Sequence, residues 1–285
     1  MKAANPIGVF DSGVGGLSVL QAIRRALPGE HLLYVADSAY APYGDKSQQF
    51  IEARSIAISQ FLVSQNVKAI VVACNTATGA AVTTLRSKFA VPIIAMEPAV
   101  KPATANTQSG VIGVLATSRT LASDNFVRLF ARHGTNVEIL GQACPGLVEQ
   151  VEVGDLSGNT TRLLLERYVR PLLEQGADTL VLGCTHYPFL APLIQEIAGS
   201  KVAVIDSAAA VARELRRRLE ADHLLADSAR IGTEYFWTSG ALDKARPLIA
   251  QLWQADVEVC ALPIYAVDVG RNKTAQADPE RRRRA

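Results

Sequence analysis

Along the chain, short runs dense in Val, Ile, Leu and Ala alternate with longer stretches whose apolar residues recur at helical spacing. The short runs predict strands at Ile7–Phe10, Leu32–Ala36, Ala69–Ala73, Ile93–Met96, Ile112–Ala116, Val137–Leu140, Thr179–Leu182 and Val202–Ile205. Between them, Ser47–Gln65 carries an apolar stripe of Phe50, Ala53, Ile56, Ala57, Phe61 and Leu62, and predicts a helix. Thr160–Glu174, Ser207–Ala221 and a stretch through Ala245–Trp253 read the same way. Strands apolar on both faces and separated by helices predict an α/β protein built on parallel sheets.

The pattern also repeats. IGVFDS, VVACNTAT and VPIIAMEPAV are echoed by IGVLATS, LVLGCTHYP and VAVIDSAAAV. Cys74 follows Asp11 by 63 residues and Cys184 follows Thr117 by 67, while Glu97 and Ser207 each lie 23 residues past their cysteine. Two copies of one βα layout joined head to tail predict two pseudo-symmetric α/β domains, each a mainly parallel sheet flanked by helices. The expected division is 1–98 plus 207–270 for the first domain and 99–206 for the second, with the boundary in the Pro- and Thr-containing stretch Pro98–Gly110. The segment after 207 is assigned back to the first domain because alone it would make a thin core. The residues from 271 to 285 have no apolar period and are expected to be a flexible tail.

Composition narrows the classes. The chain has 285 residues, of which 49% are hydrophobic, enough for real cores and too many for a disordered or collagen-like protein. Its formal charge of +2 is set by Arg281–Arg284; without those four, 25 Lys and Arg meet 27 Asp and Glu, a net of −2. Nucleic acid is therefore not an expected partner. No apolar run reaches the ~18 residues of a membrane span, and the N-terminus lacks a secretory pattern, so a cytoplasmic setting is expected. The four cysteines, at 74, 144, 184 and 260, make no CxxC and no zinc spacing, which argues for free thiols and against a metal site.

Cys74 and Cys184 each end an apolar strand run, at the carboxyl edge where open α/β sheets place ligands. A helix starting there lowers a thiol pKa from ~8.5 toward neutrality, so both are expected to be reactive. Cys144 and Cys260 read as small buried hydrophobes. The loop Asp11-Ser12-Gly13-Val14-Gly15-Gly16 lets backbone N–H groups approach a ligand. With Asp37 it superficially matches a dinucleotide fingerprint, but Ser18 stands where the third glycine belongs and Asp11 would repel a pyrophosphate. Ala41-Pro42-Tyr43-Gly44-Asp45 reads as a turn on the same rim, either a plain surface turn or an anion-binding one. His186 is either a satisfied histidine or an acid/base partner of Cys184.

Together, FDSGVGGLS, PYGDK, VVACNTAT and LVLGCTHYP resemble the signature segments of the aspartate/glutamate racemase superfamily, over residues 7 to about 265. The DSGVGG loop and the CTHYP form of the second cysteine motif favour its glutamate branch. The resemblance implies cofactor-independent interconversion of L- and D-glutamate in the cleft between the domains, supplying D-glutamate for peptidoglycan, and it is compatible with a homodimer. It implies that Cys74 and Cys184 are the two acid/base groups, with Asp11 assisting Cys74 and Glu152 and His186 assisting Cys184. Glu149 is a nearby rival to Glu152. Substrate contacts implied in the same way are Asp11, Ser12, Tyr43, Gly44, Asn75, Thr76, Thr185 and His186.

Two bases suit racemisation, because a proton must leave one face of the α-carbon and another must arrive on the opposite face. No lysine sits in a loop that also looks like a phosphate site, which disfavours pyridoxal chemistry. A carbanion formed without a cofactor needs hydrogen bonding and desolvation, which predicts domain closure over the substrate. The alternatives are racemisation of aspartate or another amino acid, decarboxylation on the same scaffold, or a non-catalytic amino-acid-binding protein. A thiol redox protein is disfavoured by the 110 residues between the two cysteines.

Overall fold

A computed structural model describes residues 1–133, 137–227 and 230–263. The expected tail, 271–285, and the last part of the segment assigned to the first domain, 264–270, lie outside the described residues. Among the described residues ten strands form, in chain order: β1 (Ile7–Asp11), β2 (Leu32–Ala36), β3 (Ala69–Val72), β4 (Ile93–Ala95), β5 (Val111–Ala116), β6 (Glu138–Ala143), β7 (Thr179–Leu182), β8 (Ala203–Ile205), β9 (Glu234–Thr238) and β10 (Val259–Ala261). They build two separate sheets, ordered β10-β9-β2-β1-β3-β4 and β6-β5-β7-β8. Every pairing is parallel.

The order β2-β1-β3-β4 recurs as β6-β5-β7-β8, so the repeat seen in the sequence is a repeat of topology. Cys74 and Cys184 each lie two residues past the end of the matching strands β3 and β7. All eight expected strands form, their ends shifted by a residue or more in several cases. β9 and β10 extend the first sheet beyond β2.

Eleven α-helices cover the sheets among the described residues: α1 (Leu17–Ala26), α2 (Gln48–Ser64), α3 (Asn75–Lys88), α4 (Val100–Asn106), α5 (Ser118–Leu121), α6 (Asp124–His133), α7 (Leu147–Glu152), α8 (Asn159–Glu174), α9 (Ala191–Ala198), α10 (Ala208–Ala221) and α11 (Leu242–Trp253). None is long and apolar enough to cross a membrane. α2 is capped by Ser47, whose hydroxyl accepts from the Phe50 N–H at 3.2 Å, satisfying one orphan donor of the first turn. Its buried face differs from the apolar stripe. Ile51, Arg54, Ser55, Ile58, Phe61 and Leu62 are buried, while Phe50, Ala53 and Ile56 are only partly covered. The face turned because a buried Arg54 finds a partner in Asp37, described below. α4 falls inside the boundary stretch Pro98–Gly110, with Pro102 in its first turn, where a missing N–H costs nothing.

One core joins the two halves. Leu17, Leu20 and Ile23 of α1 belong to the same buried cluster as Leu165 and Val169 of α8, Leu190, and Leu215 and Leu219 of α10. The outer face of the first sheet packs separately on α2 and α3, and that of the second on α4 and α6. The carboxyl ends of β1, β3, β5 and β7 thereby meet over one region, and the candidate chemistry sits there.

Candidate active site

Cys74 and Cys184 line one pocket, with Ser12, Pro42, Tyr43, Gly44, Asn75, Thr76, Thr117, Val148, Thr185 and His186. The free space is about 10 Å³, room for roughly one water. Both thiols are buried, and no disulfide joins them. Every residue expected to touch substrate lies on this wall except Asp11, which sits fully buried behind it. Among the described residues no group of three His, Cys, Asp or Glu side chains is gathered to hold a metal ion.

The two thiols have equivalent places and unlike surroundings. Cys74 caps α3, and its sulfur accepts from the Ala77 N–H at 3.4 Å. It also reaches Ser12 Oγ at 3.8 Å, and Ser12 Oγ in turn lies 3.3 Å from Asp11 Oδ1. The helix cap was expected to lower its pKa. Instead burial, then the charge of Asp11, raises the Cys74 pKa well above the ordinary thiol value, and the Ala77 N–H recovers only part of that. With the cleft shut, Cys74 is held as the thiol.

Cys184 lacks an α-helix directly behind it; a 3-10 turn, Tyr187–Leu190, intervenes before α9. Its partner is a side chain, His186, whose Nδ1 stands 3.7 Å from the sulfur. His186 Nε2 lies 2.7 Å from Glu152 Oε1. Burial alone would lower the His186 pKa, but its hydrogen bonds to Cys184 and Glu152, with the charges of Cys184 and Asp11, raise it well above the ordinary value. The imidazolium so favoured donates from both nitrogens, to the carboxylate and to the sulfur. This geometry separates the two rival glutamates: Glu152 reaches His186, whereas Glu149 is exposed and lines a neighbouring hollow with Cys144.

Asp11 is held by four donors' worth of contacts. Its oxygens accept from the Ser12 N–H at 2.7 Å, the Gly16 N–H at 2.6 Å and Thr185 Oγ1 at 3.2 Å, as well as from the Ser12 hydroxyl. Its pKa is nonetheless raised, because burial outweighs the nearby His186 and these bonds. Thr185 comes from the other half of the repeat, so Asp11 ties the halves together behind the pocket. Ser18 does the same, donating within reach of both Gly15 O and Thr185 O at 2.9 Å.

The turn carrying Tyr43 and Gly44 is anchored from below. Tyr43 Oη donates to Asp37 Oδ2 at 2.6 Å, and Arg54 grips the same carboxylate through Nε at 2.9 Å and Nη2 at 2.6 Å. Asp37 and Arg54 are both fully buried. Asp37 thus turns inward, away from any nucleotide role. Thr117, used above only as a spacing mark, is a site residue: its hydroxyl lies 3.0 Å from those of Thr76 and Thr120. In the repeat it stands where Ser12 stands, one residue past the end of its strand. Both polar atoms of the Asn75 side chain are buried without a hydrogen-bond partner among the described residues, in a wall of the pocket. A buried amide left unpaired costs free energy that a polar group entering the pocket would recover.

The outlying cysteines part company. Cys144 is buried as expected, but Cys260 is exposed, because β10 is an edge strand whose outer side no described element covers.

Paired buried thiols thus stand at the meeting edges of two topologically matching parallel sheets, Cys74 beside Ser12 and Cys184 beside His186. Similarity to known proteins gives the class. A profile described as Asp/Glu/Hydantoin racemase matches residues 7–215. A glutamate racemase of Methylococcus capsulatus is 57% identical over 259 residues, covering 91% of this chain and 96% of that protein. A crystal structure of a glutamate racemase isoform from Bacillus anthracis superposes with a TM-score of 0.84 at 32% identity, over 92% of this chain and 98% of that one. The Escherichia coli glutamate racemase, in complex with L-glutamate and an activator, UDP-MurNAc-ala, gives 0.79 at 33% identity, over 90% and 98%. The chain belongs to the Asp/Glu/Hydantoin racemase family.

Proposed function

We propose that this chain is a glutamate racemase, interconverting L- and D-glutamate by a two-base mechanism in which the thiols of Cys74 and Cys184 act on opposite faces of the α-carbon. The observation that carries the reading is the pair of buried thiols on one pocket wall, in a chain 57% identical to a protein named for that activity.

For D-glutamate, the Cys74 thiolate takes the α-proton and the C–H electron pair stays on the α-carbon; the Cys184 thiol then delivers its proton to the other face. For L-glutamate the roles exchange. The substrate's ammonium brings a positive charge to a thiol that burial and Asp11 otherwise keep protonated, and so lowers the cost of the Cys74 thiolate. On the other side, His186, held by Glu152, is placed to donate to the Cys184 sulfur as it gains charge. Asn75, Thr76, Thr185 and the Tyr43–Gly44 turn supply amide and hydroxyl donors for the two carboxylates. No cofactor is required by this scheme, since the carbanion is stabilised by those donors in a water-excluded space.

A pocket with room for about one water cannot admit glutamate, so the halves open for entry and release. The expected setting is the cytoplasm and the expected use of the product is peptidoglycan. The test is incubation with either enantiomer in D₂O, following optical rotation and loss of the α-proton. Deuterium is expected in the product enantiomer, and Cys74→Ala and Cys184→Ala are each expected to lower turnover by about 10²–10⁴-fold. Ordinary racemisation by both single variants overturns the two-thiol assignment; glutamate binding with no exchange at the α-carbon overturns the enzyme.

A further inference from the structure

Tyr34 lies on β2, fully buried, and takes no part in the scheme above. Its hydroxyl donates to the Gly13 carbonyl at 2.7 Å. The N–H of the same peptide group, that of Val14, donates to Glu152 Oε1 at 2.7 Å. That oxygen is the one facing His186 Nε2 at 2.7 Å, and His186 Nδ1 faces the Cys184 sulfur at 3.7 Å. A single unbroken hydrogen-bonded line thus runs from the phenol in the first half, through one peptide plane, to the thiol in the second.

We propose that Tyr34 is a positioning residue for Cys184, fixing the Gly13–Val14 peptide so that its N–H holds Glu152 and, through it, His186 against the sulfur. The proposal rests on the reading of Cys184 as an acid/base group. Three observations carry it. Donation to a carbonyl polarises its amide and strengthens the N–H on the opposite side, so the phenol acts on Glu152 without touching it. Next, the peptide has no freedom to be replaced by a bulkier one: a Cβ on Gly13 would stand 1.9 Å from Glu152 Oε1. Last, Tyr34 is packed so that its hydroxyl has a fixed aim, edge-on to Phe236 at 6.3 Å between ring centres. Burial, followed by the charges of Asp11 and Glu152, raises the phenol pKa well above its ordinary value, so it stays a donor throughout the working pH range.

The hydroxyl alone is removed by Tyr34→Phe. In ¹⁵N-labelled protein without substrate, the His186 Nε2 proton is expected to give a downfield resonance that His186→Gln abolishes. When the Val14 N–H loosens its hold, Glu152 Oε1 is left to His186, and the resonance is expected to move further downfield in Tyr34→Phe. Replacing Tyr34 by 3-fluorotyrosine, a stronger donor that keeps the shape, is expected to move it the opposite way, and this comparison stands even if the phenylalanine variant folds poorly. Phe236→Leu, which loosens the packing but keeps the hydroxyl, is expected to leave the resonance in place. With glutamate, kcat/KM in Tyr34→Phe is expected to fall about three- to tenfold equally in both directions, as the unit equilibrium constant between enantiomers requires, with a cooperative unfolding transition retained. A resonance indifferent to both Tyr34 replacements, an equal displacement in Phe236→Leu, or unchanged kcat/KM in a Tyr34→Phe protein whose resonance has moved, each overturns the proposal. Failure of the glutamate reading itself is separate: it is seen as absence of turnover in the unaltered chain, whatever the resonance does.

Discussion

Gly13 and Glu152, from opposite halves of the repeat, approach so closely that a Cβ on Gly13 would stand 1.9 Å from the carboxylate oxygen. Gly15 stands in the same relation to His186, with Nδ1 2.3 Å from its would-be Cβ. Gly13 and Gly15 are thus demanded by the Glu152 and His186 side chains of the second half. Gly13→Ala is expected to eject Glu152 and to lower kcat/KM by about 10²–10³-fold, within the range of lost acid/base assistance, while thermal melting shifts little. Steady-state rates with both enantiomers, read beside a melting curve, check this; near-normal rates in Gly13→Ala would show that Glu152 is dispensable where it stands.

The two rival carboxylates on α7 can be told apart by rate. Glu152→Gln removes the charge opposite His186 and is expected to cost at least tenfold in kcat/KM. Glu149→Gln changes an exposed side chain away from both thiols and is expected to stay within about twofold. Reversed magnitudes would transfer the assisting role to Glu149.

His186 sets a pH dependence of known sign. Its folded pKa is raised well above 6.5, so the stability gained from its charged form is fully present below pH ~6.5 and is lost as pH rises through the folded value. The unaltered chain is expected to show no inflection in kcat/KM near pH 6.5 from this group and a loss at higher pH. Its stability advantage over His186→Gln, measured by urea denaturation, is expected to shrink on the alkaline side only.

Asp178 behaves in the opposite sense. Four donors converge on it, from Thr107 Oγ1 at 2.6 Å, the Gln108 and Ser109 N–H groups at 2.7 Å each, and Thr179 Oγ1 at 3.0 Å. Burial opposes the shift, but these bonds bring its pKa down to about 2. The stability it contributes to the turn entering β5 is present above pH ~4 and lost as pH falls toward 2. Denaturation of Asp178→Asn beside the unaltered chain is expected to show a gap at pH 7 that closes over that window.

Arg54 and Asp37 form a buried ion pair under the Tyr43–Gly44 turn, and breaking it leaves a stranded charge. Arg54→Met alone is expected to cost about 3–5 kcal/mol of stability, and Arg54→Met with Asp37→Leu distinctly less. The KM for glutamate is expected to rise in both, because Tyr43 loses its anchor. Denaturation curves and saturation kinetics read the two effects independently.

The strand pattern and the repeat were legible because strands buried on both faces are apolar throughout, and because β1, β3, β5 and β7 carry that signal beside their chemistry. β9, Glu234–Thr238, was not read as a strand: Glu234 and Trp237 are partly covered, Tyr235 is exposed and only Phe236 and Thr238 are buried, so the apolar run is missing. Arg54 was invisible as a core residue, since a charged residue is buried only with a partner that lies 17 positions away in Asp37. The thiols were placed by sequence, but the chemistry of Cys74 was not. A helix terminus is a local feature, whereas the burial and the Asp11 charge that outweigh it come from the assembled fold.

Closure over the two thiols would give the pocket a memory. In the two-thiol scheme proposed above, each turnover leaves the proton on the other sulfur, so the closed form that has just made one enantiomer is the form that takes that same enantiomer back. In a space holding about one water, that setting is not erased until the halves part and solvent resets it. Closed, the molecule keeps a record of the handedness it last produced; opening is the act that clears it.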